Sequence, residues 1–229
     1  MSLPAPRLRR SQASAWAALV AALFFCHAAR AQDSLRLLWQ ASADADRVNT
    51  MNFTPDGNTL ITGSSDRLIN VWDASSGELL RTLDSNAPYV HASSIECLAI
   101  NPANPVQIAT VSSNIEHLWN LSTGAEISLS PKPGNWMVWC AFSPDGQWLA
   151  TASFNATIRL WSVSGNSASL YKVFQASTLQ RACAFSPDGR WLASAGGDRA
   201  VTIRDTSDWS TVAVLEGHTN DIYDMVFSP

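Results

Sequence analysis

The chain has 229 residues, of which 46% are hydrophobic and 15% charged, with a formal net charge of −4. That is enough chain for one large domain or two small ones around a buried core, and no low-complexity tract or charge run marks a disordered tail. A mildly acidic chain with no basic stripe argues against nucleic acid as a partner.

Residues 1–31 read as a secretory leader. Arg7, Arg9 and Arg10 form a basic head, an apolar run extends from Ala15 to Cys26, and Ala29 and Ala31 supply the small residues of an A-x-A cleavage site. The run is shorter than the about 20 apolar residues of a membrane span. Cleavage after Ala31, no span in the remaining chain, and an exported location, periplasmic or secreted, are therefore expected. Phe25 before Cys26 is too large for a lipidation site. Without its four arginines the count falls from 15 to 11 basic residues against 19 acidic ones, a net of about −8. Three cysteines remain, Cys97, Cys140 and Cys183. Export permits disulfides, but Cys140 and Cys183 sit at the same place in the repeat, where Met51, Leu98 and Met225 stand in the other copies. That company suggests small buried hydrophobes.

Beyond the leader, one pattern recurs. "CAFSPDG" stands at residues 140–146 and again at 183–189. Aligned on proline, Pro55, Pro102, Pro144, Pro187 and Pro229 follow one another at spacings of 47, 42, 43 and 42. Repeats of 40–45 residues belong to propeller-like arrays. Each copy opens with an alternating apolar strand, carrying Phe53, Ile100, Phe142, Phe185 or Phe227 two places before the proline. A turn follows, "PDG" in three copies, in which proline presets one dihedral and glycine takes a positive one. Then come a second strand ("NTLITGS", "VQIATVS", "QWLATAS", "RWLASAG"), a tight polar turn, a third strand ("LINVWD", "EHLWN", "TIRLWS", "VTIRD") and a fourth. Four short antiparallel strands per copy cannot bury both faces alone, so neighbouring copies must stack. The predicted repeats span about 47–83, 94–129, 135–174 and 179–215, with a partial copy at 221–229.

These motifs resemble the WD-repeat family of β-propellers, over about residues 35–229. Val71-Trp72-Asp73 matches the family's terminal motif, and "LWN" and "LWS" keep Trp119 and Trp161. In the fourth copy Arg204 stands where tryptophan is expected, ahead of Asp205. The resemblance implies an all-β fold of four-stranded antiparallel blades. It also implies, within each blade, a hydrogen-bonded chain of histidine, strand hydroxyl, turn aspartate and tryptophan. The hydroxyls would be Thr62, Thr110, Thr151 and Ser194, and the turn residues Asp66, Asn114, Asn155 and Asp198. A "GH" pair appears once, at Gly217-His218, so no unit before Gly217 is expected to have its histidine. Family propellers usually have seven blades, roughly 300 residues at this period. Residues 32–229 fall short of that, which predicts an incomplete propeller and a chain that is a fragment of a longer protein. "DSLRLLWQ", around Leu35 to Trp39, resembles an outer strand that closes such a ring.

Chemistry requires groups that converge. His91, His117 and His218 have no second ligand at metal spacing, and there is no C-x-x-C, G-x-S-x-G, phosphate loop or dinucleotide fingerprint. No catalytic residue, metal or cofactor is therefore expected; paired Asp221 and Asp224 read as a solvated loop. What the resemblance implies instead is a ring face, built by the loops leading into each inner strand, that contacts other proteins. Eight residues before each proline lie Arg47, Ser94, Trp136, Leu179 and Asp221; six before lie Asn49, Glu96, Val138, Arg181 and Tyr223. Arg47, Trp136, Arg181 and Tyr223 are the candidate contacts, tryptophan, tyrosine and arginine being hot-spot residue types. Trp136 is equally readable as packing between blades, and Trp139 reads as packing. Two functions stay open: a non-catalytic scaffold or adaptor, and an accessory or sensor domain of an enzyme whose catalytic part lies beyond Pro229.

Overall fold

The computed structural model describes residues 39–41, 46–83, 91, 93–113, 116–130 and 136–228. The leader-like segment 1–31, Leu35, Asn114 and residues 131–135 lie outside the described residues. Among the described residues no helix is long and apolar enough to cross a membrane.

The described chain is all β, in four runs of four strands. The first run is β1 (Val48–Phe53), β2 (Thr59–Ser64), β3 (Ile69–Asp73) and β4 (Leu79–Leu83). The second is β5 (Ile95–Ile100), β6 (Gln107–Ser112), β7 (Glu116–Asn120) and β8 (Ala125–Ser130). The third is β9 (Met137–Phe142), β10 (Trp148–Ser153), β11 (Thr157–Ser164) and β12 (Ser167–Gln175). The fourth is β13 (Gln180–Phe185), β14 (Trp191–Gly196), β15 (Val201–Asp205) and β16 (Thr211–Leu215). Within each run consecutive strands pair antiparallel.

The turns follow from sequence chemistry. Gly57, Gly146 and Gly189 close the three "PDG" turns at φ of 72°, 69° and 73°, a region open to glycine at little cost. In each of these turns a hydroxyl before the proline reaches the aspartate: Thr54, Ser143 and Ser186 donate to Asp56, Asp145 and Asp188. The second hairpin turns are tighter. Arg67, Ala156 and Arg199 take positive φ there without being glycine.

The sheets pack face to face, and the core lies in the three gaps between them. Ile61, Ile69, Val71 and Leu83 of the first sheet meet Ile95, Leu98, Ile108 and Trp119 of the second. Val111, Leu118 and Ile127 meet Met137, Cys140, Leu149 and Trp161. Ile158, Leu160 and Phe174 meet Cys183, Leu192 and Trp209. Each fully buried side chain of this size contributes roughly 1.5–3 kcal/mol. Cys97, Cys140 and Cys183 are free and buried in these gaps; burial pushes the Cys183 thiol up well above its usual range. Trp39 packs on Leu60 and Trp72 and donates its indole N–H to the Ala74 carbonyl at 2.9 Å.

One pairing departs from four separate sheets. The β11–β12 hairpin is longer than its counterparts, and Ser167–Ser169 of β12 run parallel to Ser128–Ser130 of β8. The second and third sheets are thereby joined into one of eight strands.

Candidate protein-binding face

Each inner strand enters its sheet through an irregularity at the same place. Val48 and Thr50 pair with Ser64 and Gly63, skipping Asn49. Ile95 and Cys97 pair with Ser112 and Val111, skipping Glu96. Met137 and Trp139 pair with Ser153 and Ala152, skipping Val138. Gln180 and Ala182 pair with Gly196 and Ala195, skipping Arg181. A bulged residue drops out of the ladder and its side chain is re-aimed. The skipped residues are the ones the sequence places six before each proline, so the bulge is the physical device that delivers them to the face.

Around the fourth bulge three of the four candidate residues come together. The Arg181 guanidinium lies between two rings, 5.0 Å from Phe154 and 4.5 Å from Tyr223. Its Nε donates to Asp221 Oδ2 at 3.3 Å. Phe154 in turn meets Trp136 edge to face at 5.8 Å. A continuous stripe runs Trp136, Phe154, Arg181, Tyr223. Trp136 and Tyr223 are 59% and 63% exposed. The backbone beneath is fixed, since the Trp136 carbonyl accepts from both the Phe154 amide and the Ser153 hydroxyl at 2.9 Å. The exposure of Trp136 separates it from Trp139, which is half-buried against the second and third cores.

Arg47 is not part of this stripe. It sits on the first sheet, where its Nε donates to Asn49 Oδ1 at 2.7 Å, and Asn49 donates onward to Ser65 Oγ and the Ile95 carbonyl. Phe154 is the member that sequence reading missed. It holds the turn position occupied by Ser65, Ser113 and Gly197 in the sister units, and that lone large apolar residue was the available signal.

Behind the face, the strand hydroxyls are held by the third strand. Trp72, Trp119 and Trp161 donate their indole N–H to Thr62, Thr110 and Thr151 at 3.0, 2.8 and 3.4 Å. In the fourth sheet Arg204 Nη1 donates to Ser194 Oγ at 3.0 Å. One expectation is corrected here: the second unit does have its histidine. His91 Nε2 lies 2.8 Å from Thr110 Oγ1, although its sequence context, "VHASS", lacks the glycine that usually marks it. His218, the residue expected in that role, is exposed. Asp66 accepts from the Leu68 amide. Asp73 and Asp205 cap the turns after the third strands. The Ser75 and Ser76 donors hold the Asp73 carboxyl down at about 2, and Ser207 lowers that of Asp205.

The third sheet borrows its partner from the second. Thr151 donates to Glu116 Oε1 at 2.7 Å, across the gap between sheets. Glu116 is buried with Oε2 lacking a hydrogen-bond partner and Arg159 3.9 Å away. Burial pushes its carboxyl up to about 7. His91 moves the other way. Burial, and then the neighbouring His117 ring, hold it down at about 3. His117 is itself bonded to Glu126 through Nδ1 at 2.8 Å. These groups are packed into the interior, and among the described residues no three His, Cys, Asp or Glu side chains gather as a metal site would require.

Comparison with known proteins agrees with this architecture. The model of the WD domain, G-beta repeat matches residues 36–73, 129–162 and 169–205. The chain is 32% identical over 114 residues to the serine-threonine kinase receptor-associated protein of Dictyostelium discoideum, covering 50% of this chain and 36% of that one. It is 28% identical over 163 residues to periodic tryptophan protein 2 of Saccharomyces cerevisiae, covering 53% and 17%. It is 26% identical over 120 residues to the target of rapamycin complex subunit LST8 of Mus musculus, covering 52% and 35%. The matched segments thus span about a third of these relatives' length or less. Repeat period, strand plan, indole–hydroxyl bonds and matched segments lead to one conclusion: residues 36–73, 129–162 and 169–205 are repeats of the WD family.

Proposed function

We propose that this chain is an exported, non-catalytic scaffold or adaptor that binds a protein partner through the bulged face, with the Trp136–Phe154–Arg181–Tyr223 stripe as its centre. WD-repeat proteins generally act as protein-binding scaffolds, and two relatives are by name a receptor-associated protein and a complex subunit. The observation that carries the reading is the stripe itself: two widely exposed aromatic rings flank an arginine already held rigid by two rings and a carboxylate. Such pre-ordered aromatic and arginine groups lose little freedom on binding and dominate interface energies. The leader-like residues 1–31 support export. The half-exposed β15 and the largely exposed β16 support a propeller arc against which further blades pack, as in the family's closed rings.

The test compares the full chain with Trp136→Ala and Tyr223→Ala in co-purification from the exported fraction of its own cells. A partner retained by the parent and lost, by tenfold or more, from both variants at unchanged urea midpoint supports the face. Equal retention by all three, or a drop in midpoint matching the loss, overturns it.

A further inference from the structure

The fourth sheet differs from its sisters at two of the positions that meet behind the face. Arg204 pairs with Leu192 as Trp119 pairs with Ile108 and Trp161 with Leu149. Ala176 holds the same offset from Pro187 that His91 holds from Pro102. Where the second sheet has an imidazole and an indole, Ala176 and Arg204 border a cleft of about 320 Å³ between the third and fourth sheets.

Its walls carry opposite charges, each short of a partner. The Arg204 guanidinium donates to Ser194 and lies 4.5 Å over the Phe174 ring. Among the described residues Arg204 enters no ion pair. Burial lowers its pKa, the mark of a cation whose charge is incompletely compensated. Asp198 also lines the cleft. Its Oδ2 has a long 3.4 Å bond from Gln180 Nε2, and its Oδ1 is buried with no hydrogen-bond partner. Buried polar atoms of native folds are nearly always paired, so each exception calls for a reason. Glu216 adds a second carboxylate to the lining.

We propose that this cleft binds an amino-acid-sized zwitterion, its carboxylate on Arg204 and its ammonium on Asp198. A simple anion would leave Asp198 unpaired beside new negative charge, and a simple cation would do the same to Arg204. A guanidinium's planar fork matches a carboxylate, and Phe174 and Ile158 offer an apolar wall to the carbon stem between the charges. The volume is at the small end of ligand pockets, the right scale for one such molecule.

The full chain is titrated calorimetrically with glycine, β-alanine and 4-aminobutyrate, which carry the two charges at increasing separation. Acetate and methylammonium are the single-charge controls. One of the three zwitterions is expected to bind at least about tenfold tighter than either control, a difference of about 1.4 kcal/mol. Arg204→Trp, which restores the sister sheets' residue, and Asp198→Asn are each expected to weaken it about tenfold or more. Should Arg204→Trp fail to fold by circular dichroism, Arg204→Gln reads the same contact. Acetate binding as tightly as the zwitterions, binding that survives loss of Arg204, or no binding by any of the three overturns the proposal.

Discussion

In the second sheet Thr110 is held from two sides, by the Trp119 indole and the His91 ring, each at 2.8 Å. In the fourth, Ser194 meets the Arg204 guanidinium at 3.0 Å, and Ala176 stands where the ring would be. The backbone register is the same: hydroxyl strand, tight turn, third strand, one residue in line with the next. What differs is burial. The second sheet's third strand, β7, is buried over its first four residues, whereas every residue of β15 is half-exposed. The buried hydroxyl is satisfied in every sheet, by whichever donor or acceptor the sequence supplies: indole, imidazole, a borrowed carboxylate or a guanidinium. The repeat plan tolerates exchange of the partners because it demands only that the hydroxyl not be left unpaired.

The largest difference between the two sheets is expected when their third-strand residues are truncated. Trp119→Ala removes a buried indole and should cost about 3–5 kcal/mol in urea unfolding. Arg204→Ala, on a half-exposed strand, should cost less than about 1 kcal/mol. Equal losses would mean that the fourth sheet is as consolidated as the second.

The next test is pH. Glu116 has its folded-state pKa raised to about 7 from the usual 4.5, so its neutral form is favoured. Its contribution is complete below pH 4.5 and is lost as pH rises through 7. His91 is depressed to about 3 from 6.5, so its contribution is complete above pH 6.5 and is lost as pH falls toward 3. Stability should therefore peak in mildly acidic solution. Glu116→Gln, which keeps an acceptor for Thr151, should flatten the alkaline limb and gain roughly 2 kcal/mol at pH 8. An unchanged limb would place the charge cost elsewhere.

A smaller effect sharpens the contrast from the other side. Arg204→Trp should stabilise the fourth sheet by about 1–2 kcal/mol, through apolar burial against Phe174 and Leu192, read as a rise in urea midpoint. Smallest is Ala156→Gly. Ala156 sits at φ 63°, a conformation that costs a residue with a side chain about 1 kcal/mol. A gain of that order or less is expected in the same assay, and a loss would show that the methyl group's packing outweighs the strain.

The periodic part of the fold was legible in the sequence because its causes are local. Alternation sets the strands, the proline–aspartate–glycine run sets the first turn, and the hydroxyl and tryptophan positions follow from the period. The missed features are the ones that cross between units. His91 lacks a preceding glycine, though its offset from Pro102 would have found it. Glu116 serves a hydroxyl of the next sheet, a relation that no single repeat displays. The stripe was half visible: Trp136, Arg181 and Tyr223 fall at predicted positions, while Phe154 joins them only through the fold, and Arg47 is directed to a different bulge.

The parallel pairing of Ser167–Ser169 with Ser128–Ser130 changes how the array should come apart. In a simple stack of repeats each unit opens against its neighbours through side-chain contacts alone. Here main-chain hydrogen bonds lash the two central blades together at their outer edge, so neither can open without stripping the other's last strand. Amides of β8 and of the β12 N-terminal half should then exchange with solvent at a common rate, and the described array should melt as three blocks, an outer blade, a fused central pair and a second outer blade. A lesion in either central blade would be felt in both.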